Sequence, residues 1–373
     1  MLDRYAGLRI FIHPAPSIVQ QSVDKVALQA RYGVPSRTGI FNGLRSKGWR
    51  YLKPLRYSDW SLFGWQGLTL EVPLEWNPGK ISGDFKAGSV RLDDPTLARL
   101  EIEWKDARGD ERVAPIVDRF LDGLAESARK GKKSVDINRN PDAGWLDLPD
   151  ACSPVSFAWH AEYRVHALAF YSPPSDRLVF ARIRTKQDED AGDNIRRILN
   201  SIRDTSPDGH RTWALYDLVC SSPPLFSLES YELKSGHLRL CFQRGHDILQ
   251  VDRLSLAQVL LKRRTLLDWY KEFFRKSLRQ VNLDFRETQV GNHPGLLLSG
   301  KPKSRWRGLL MPLPFWNVRP RLNMEARVWT CNHANKIYAV HAYYKKQKDA
   351  PDIEYVRRSV ICHRDAVPEH ATT

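Results

Sequence analysis

The chain has 373 residues, of which 42% are hydrophobic, and it contains 12 tryptophans. This composition excludes a disordered chain, and the length allows two domains because a domain usually has ~100–200 residues. The formal net charge of +15 favours an acidic partner, such as nucleic acid, an anionic membrane face or an acidic protein, although a basic protein can also have none of these. The apolar runs are too short for a bilayer span, which takes about 20 residues.

Residues 1–58 are interpreted as a basic N-terminal extension rather than a domain. They contain ten Lys or Arg residues and two acidic residues, Asp3 and Asp24. Their net charge of +8 is more than half of the +15 of the whole chain. Gly and Pro interrupt the end of this segment so often that it cannot bury a core of its own. Its start does not match a secretory signal, because the apolar patch is short and is interrupted by an Asp and a Tyr.

The cysteines are odd in number, widely spaced and without any Cys-x-x-Cys pair. This usage favours a reducing compartment over a disulfide framework. We therefore expect a cytoplasmic protein. The five are Cys152, Cys220, Cys241, Cys331 and Cys362.

Residues 59–204 are predicted to form a first α+β repeat. Leu100, Ile102 and Trp104 alternate with charged residues, which is the pattern of a strand with one solvated face. Apolar residues then recur every three or four positions over 113–130, which predicts a helix lying on a sheet. Further strands are predicted at 68–72, 89–92, 155–164, 165–171 and 178–184, with a closing helix at 191–203.

Residues 205–223 are interpreted as a linker, because Thr, Ser, Pro, Asp and Gly follow one another at its start. Residues 224–363 are predicted to form a second α+β repeat, and 364–373 a flexible tail. The second repeat is expected to contain strands at 227–233, 238–242 and 248–252, a helix at 263–280, further strands around 325–328 and 336–342, and a helix at 352–362.

The two repeats share their order of elements, which indicates a duplication. Glu162-Tyr-Arg-Val165 aligns with Glu325-Ala-Arg-Val328, and a short helix follows each. Runs of adjacent strands joined by short turns predict antiparallel sheets with packed helices, the α+β class. In topology this order resembles the Mog1/PsbP-like sandwich used in tandem. The resemblance implies a fold and carries no activity or site.

One group of soft metal ligands stands in the second repeat. Zinc prefers four thiolate or imidazole ligands, yet the spacing here matches no common zinc pattern. We therefore predict no metal site and interpret Cys331 and Cys362 as small buried residues, while their convergence with His333 and His363 stays open. The group consists of Cys331, His333, His341, Cys362 and His363.

No catalytic residues are predicted, and no cofactor is expected. The sequence has no Gly-x-Ser-x-Gly nucleophile elbow and neither of the common glycine-rich phosphate loops. The histidines have no obvious nucleophile partner. The acidic runs at 147–150 and 188–190 lie in predicted loops, where charge is usually just solvated. Whether the chain is an enzyme is left open.

The clearest functional pattern is a mixture of cations and aromatic residues in segments 45–57 and 299–323. Cations neutralise phosphates or carboxylates, and an aromatic ring can stack on an exposed base or anchor a partner. The same aromatic rings could instead hold the segments on the core. The residues predicted to bind a polyanion or a partner are Arg45, Lys47, Trp49, Arg50, Lys53, Lys301, Lys303, Arg305, Trp306 and Arg307.

These observations predict a non-catalytic two-domain interaction or scaffold protein that docks an acidic partner within a larger assembly. A nucleic-acid-binding protein that uses the same two segments is the first alternative. An enzyme with a site between the domains is the second. The sequence leaves the identity of the partner and the oligomeric state open.

Overall fold

The computed structural model describes residues 60–108, 112–139, 146–148, 152–204, 208–279, 281–303 and 322–363. These residues belong to one compact unit that spans Pro54–Thr373. The predicted extension at 1–58 and the predicted tail at 364–373 lie outside them. The described chain mixes helices with antiparallel sheets, in agreement with the expected α+β class.

The first half of the described chain is a series of adjacent strands interrupted by one long helix. Its elements are β1 (Trp60–Trp65), β2 (Leu68–Pro73), β3 (Asn77–Gly83), β4 (Ala87–Asp93), β5 (Ala98–Asp106), α1 (Val113–Lys130), β6 (Asp136–Asn138), β7 (Val155–His160), β8 (Arg164–Ser172), β9 (Arg177–Thr185), α2 (Gly192–Asn200) and β10 (Arg203–Asp204).

The second half follows the same plan with three short helices in place of the long one. Its elements are β11 (Arg211–Leu215), β12 (Leu218–Ser222), β13 (Ser227–Lys234), β14 (His237–Arg244), β15 (Asp247–Ser255), α3 (Ala257–Leu260), α4 (Leu266–Phe273), α5 (Arg275–Leu278), β16 (Val281–Val290), β17 (His293–Pro302), β18 (Asn323–Cys331), β19 (Lys336–Tyr344) and α6 (Ile353–Ser359).

The strands form three antiparallel sheets. Two have seven strands each, in the orders β3-β4-β5-β9-β8-β7-β6 and β13-β14-β15-β19-β18-β17-β16. The third has the order β10-β2-β1-β11-β12 and therefore takes strands from both halves. The halves meet where Gly64 pairs with Ala214, and a Cβ at Gly64 would lie 3.0 Å from backbone atoms of β11. Glycine permits this close approach of the two strands.

One hydrophobic core joins the five-stranded sheet to the inner faces of both seven-stranded sheets and to α2 and α6. Two smaller cores lie on the outer faces. Helix α1 covers the first sheet through Val117 and Leu121, and α3 to α5 cover the second through Trp269 and Tyr270. None of the helices that the structure describes combines the length and the apolar character that a membrane crossing requires.

Two sequence-based predictions need correction in detail. The segment 205–223, interpreted as a linker, contains strands β11 and β12, where Trp213 and Cys220 are fully buried. The single helix predicted at 263–280 is replaced by α4, which begins after Thr265, and by α5, which is separated from α4 at Phe274. Helix α1, in contrast, has the predicted bounds of 113–130.

Candidate functional site

Of the residues predicted to bind a polyanion or a partner, the structure describes Lys301 and Lys303. Both are exposed at the end of β17, and the Lys303 Nζ donates a hydrogen bond of 3.2 Å to the carbonyl oxygen of Arg279. This contact brings the end of β17 to the end of the helical layer formed by α3 to α5. The other predicted residues lie outside the described chain: Arg45, Lys47, Trp49, Arg50, Lys53, Arg305, Trp306 and Arg307.

The helical layer, residues 257–279, is strongly basic. It contains seven Lys or Arg residues and two acidic residues, a net charge of +5. Together with the end of β17 it forms a surface that we call the basic face. Its exposed cations are Lys262, Arg263, Lys271, Arg275, Lys276, Arg279, Lys301 and Lys303.

Packing of α4 explains why these cations face solvent. The helix begins at Thr265, whose hydroxyl oxygen accepts a hydrogen bond of 3.1 Å from the backbone N–H of Asp268. Trp269 and Tyr270 then bury themselves against β17, β18 and β19, at 2% and 0% exposure. Because one side of the layer is committed to the core, its long charged side chains extend from the opposite side.

The cations of the basic face are not neutralised within the described part of the chain. No described carboxylate forms an ion pair with any of them. The one ion pair of the layer joins Arg264 to Glu272, at 2.5 Å between Nη1 and Oε2. Like charges that lack partners repel one another, so the face is suited to an anionic surface.

Two exposed aromatic rings belong to α4 or contact it. Phe273, at the end of α4, is 41% exposed, and Phe285, in the edge strand β16, is 48% exposed. The Lys271 Nζ lies 5.0 Å from the centroid of the Phe285 ring, a cation–π contact. The basic face therefore combines charge with apolar area.

The equivalent position in the first half has a different surface. Helix α1 contains three acidic and three basic residues, a net charge of zero. Two of its carboxylates are bound by Arg139, which lies 2.8 Å from Asp118 and 2.6 Å from Asp122. The two helical layers therefore differ in surface charge as well as in the number of helices.

Beneath the basic face lies a buried polar network centred on Asp252. Its carboxylate contacts His237 Nε2 at 2.7 Å and Arg239 Nε at 2.7 Å. Burial alone would raise the pKa of Asp252, but the hydrogen bond from His237 and the charge of Arg239 outweigh it, so the pKa is lowered. Burial lowers the pKa of the neighbouring His341 to about 4, against the opposing effect of Asp252.

This network is structural in its placement. Asp252 and His341 are 0% exposed, and the Tyr270 hydroxyl lies 3.1 Å from His341 Nε2 inside the same core. An acid–base residue must reach the proton that it transfers. Asp252 and His341, enclosed in this way, help to anchor α4 to the sheet, whereas His237 and Arg239 of the same network are partly exposed.

A shallow cavity of about 340 Å³ in the first half is lined by His166 and the predicted acidic run 188–190. Its most buried carboxylate is not free, because Glu189 Oε2 lies 2.7 Å from Arg99 Nη1. Burial, with His160 and Arg164 adding to it, lowers the pKa of His166, which favours the neutral ring. The cavity lies beside α2 in the first half, away from the second seven-stranded sheet.

A second cluster consists of metal-ligand side chains whose donor atoms all lie within 4.8 Å of one another. Cys362 Sγ lies 3.2 Å from His293 Nε2 and 3.1 Å from His363 Nδ1, and Cys331 Sγ lies 3.4 Å from His363 Nδ1. Burial raises the pKa of the Cys362 thiol to about 12, and Cys331 adds to the shift. We call the group the Cys2His2 cluster: His293, Cys331, Cys362 and His363.

The cluster brings together three of the five ligands singled out in the sequence and adds one that was not. His293 was missed because the β16–β17 hairpin was not predicted, although Gly291-Asn292 before it is a turn signal. His333 stacks on His363 with ring centroids 5.0 Å apart and belongs to no ligand group. His341 belongs to the buried network of Asp252.

Comparisons with known proteins identify no family for this chain. No family model matches the chain, and no curated protein matches it significantly. Among solved structures, the chain is similar to the immunity protein TplEi of the T6SS from Pseudomonas aeruginosa, in complex with an "L" peptide. The similarity covers 78% of this chain and 90% of that one, with 13% identity and a TM-score of 0.28. A likeness this weak supports no inference about this chain.

Proposed function

We propose that this chain is a non-catalytic interaction protein that docks an acidic protein partner on its basic face. The observation that supports this proposal is a set of exposed cations without described carboxylate partners, together with two exposed aromatic rings, Phe273 and Phe285. Aromatic residues and Arg are enriched in protein interfaces. The charge would speed the encounter with an acidic surface, and the rings would supply buried area.

The rigidity of the surface favours the same function. The cations lie on short helices and on a strand end that are held by the core beneath Trp269 and Tyr270. A surface that is already ordered loses less conformational entropy when it binds than a flexible loop does. Segments 45–57 and 299–323 would extend this surface if they contribute as the sequence predicts.

Neutralising the basic face tests the proposal. In the variant, Arg275, Lys276, Lys301 and Lys303 become Ser. We expect the melting temperature to change little, because exposed and unpaired cations contribute little to stability. We expect partner capture to fall at least about tenfold, since charges at an interface contribute strongly to association. The measurement is quantitative co-purification from the native source, followed by titration against the partner that is identified.

The first half supplies the matched control. Replacing Arg112, Arg119, Arg129 and Lys133 by Ser removes the same charge from the surface around α1, all at exposed positions. This control should retain binding. If both variants lose binding equally, the effect is one of net charge. If neither loses it, the basic face is a solvated surface and the proposal is wrong.

Nucleic acid is the alternative partner, because Phe273 and Phe285 could stack on exposed bases. The dependence of binding on salt concentration distinguishes a nucleic-acid partner from an acidic protein partner. Binding of B-DNA weakens with a slope of about −0.9 in log K against log salt for every phosphate contacted. Nuclease treatment before capture would remove a nucleic-acid partner and leave a protein partner in place. An enzyme with a site between the domains has no observation in its favour.

We also propose that the two predicted repeats, 59–204 and 224–363, are copies of one unit, with β11 and β12 added to the start of the second copy. The two seven-stranded sheets have matching strand orders, a helical layer follows the third strand of each, and a short helix follows the last. In this proposal the residues between β17 and β18 are an insertion in the second copy, and the basic face is a specialisation of one copy. The Mog1/PsbP-like topology stays a prediction.

A further inference from the structure

We propose that the Cys2His2 cluster binds one zinc ion in a closed tetrahedral site. Two sulfur and two imidazole donors are a common ligand set of structural zinc sites. Soft thiolate and imidazole ligands favour zinc or copper(I) over magnesium and calcium, which prefer oxygen. When zinc binds, each thiol loses its proton to solvent, and the two thiolates balance the charge of the ion.

The separations fit a tetrahedron. Zn–S bonds of about 2.3 Å and Zn–N bonds of about 2.0–2.1 Å place neighbouring sulfur and nitrogen ligands roughly 3.5 Å apart. The Sγ–N distances in the cluster are 3.1, 3.2 and 3.4 Å. The four donor atoms lie within 4.8 Å of one another, so small movements of the side chains would complete the coordination.

The ligands come from three chain segments that the fold holds together. His293 begins β17, and Cys331 ends β18 and is 0% exposed. The last two ligands follow α6, where the backbone N–H of Ile361 donates to the Val219 carbonyl oxygen at 3.1 Å. This bridge fixes the segment that supplies Cys362 and His363.

Because protein side chains would occupy all four positions, no coordination site remains for a substrate. The ion would therefore be structural and would fasten the end of α6 to the β16–β17 turn.

The same sulfur atoms could instead form a disulfide between Cys331 and Cys362, so the test must separate the two states. The full-length protein is produced with added zinc and purified under mild reduction, and its zinc content is measured by mass spectrometry. We expect about one zinc ion per chain. Peptide mapping of the same protein, without reduction, should show both thiols free of any disulfide.

Substitutions then assign the ligands. Cys331→Ser, Cys362→Ser and His293→Asn should each weaken zinc binding by more than ~100-fold, since loss of even an outer-shell partner costs ~10–100-fold. His246→Asn is the matched control, because this exposed histidine lies in the turn between β14 and β15 and not in the cluster. Cys241→Ser is the control for a partly buried cysteine elsewhere. Both controls should retain the ion.

Cobalt substitution keeps the test decisive if a ligand variant fails to fold. The wild-type protein is stripped with a chelator and titrated with Co²⁺. A tetrahedral site with two thiolates should give intense visible bands and thiolate-to-cobalt charge transfer. Absence of zinc together with absence of these bands would overturn the proposal. So would zinc that persists in both cysteine variants, or a disulfide between Cys331 and Cys362 in the intact protein.

Discussion

At the scale of single residues, strand β5 shows how alternation divides a core position from a surface position. Ile102 is 1% exposed in the shared core, whereas the neighbouring Glu101 and Glu103 face Arg182 on the outer side. Ile102→Ala should lower the free energy of unfolding by about 2–5 kcal/mol, through lost burial and a residual cavity. This loss in the free energy of unfolding can be measured by urea unfolding monitored through tryptophan fluorescence.

Glu101→Gln is the control for that prediction. The Glu101 Oε2 lies 3.4 Å from Arg182 Nη2, and Glu103 is the closer partner of the same guanidinium. Loss of one exposed charge from such a pair should cost less than about 1 kcal/mol. Similar small effects at positions 101 and 102 would contradict the assigned orientation of β5.

Residue types alone could not have predicted the clusters. His341, Cys331 and Cys362 are visible in the sequence, but their partners depend on which strands lie side by side. Cys331 and His363 are 32 positions apart, and His293 lies at the turn of the β16–β17 hairpin, which was not predicted. Ligand sets that are assembled by sheet topology have no local spacing pattern to reveal them.

At the scale of elements, the start of α4 depends on one side chain. Thr265 precedes the helix with an extended backbone, and its hydroxyl accepts the N–H of Asp268 at 3.1 Å. Thr265→Ala should reduce the free energy of unfolding by about 0.5–2 kcal/mol, because a helix N–H loses its partner. Thr265→Ser keeps the hydroxyl and should remain near wild type. Equal losses in both variants, measured by urea unfolding, would exclude a capping role.

Local sequence pattern predicts some of these elements and not others. Helix α1 has an uninterrupted apolar stripe of helical period, and its bounds followed from the sequence. Residues 257–278 have a stripe as well, but the layer is divided into three helices, because Thr265 caps a new helix after α3 and the chain breaks again at Phe274. Strands β11 and β12 were missed because turn-forming residues precede them, and their burial is set by the distant strand β1.

At the scale of the whole molecule, the two halves share a core rather than possessing one each. The five-stranded sheet takes β1, β2 and β10 from the first half and β11 and β12 from the second. Its buried side chains pack with both seven-stranded sheets in one cluster. Neither half can unfold without exposing the apolar surface of the other, so we expect one cooperative transition for residues 60–363.

Two substitutions in opposite halves test this coupling. Ile102→Ala in β5 and Leu249→Ala in β15 remove apolar side chains that are 1% and 0% exposed in the shared core. In scanning calorimetry each variant should lower the midpoint of one common transition, with the calorimetric enthalpy equal to the van't Hoff enthalpy. If the halves were independent, two transitions would appear and each substitution would shift only one of them. Zinc at the Cys2His2 cluster should raise the common midpoint, because a ligand that binds only the folded state stabilises whatever unfolds with its site.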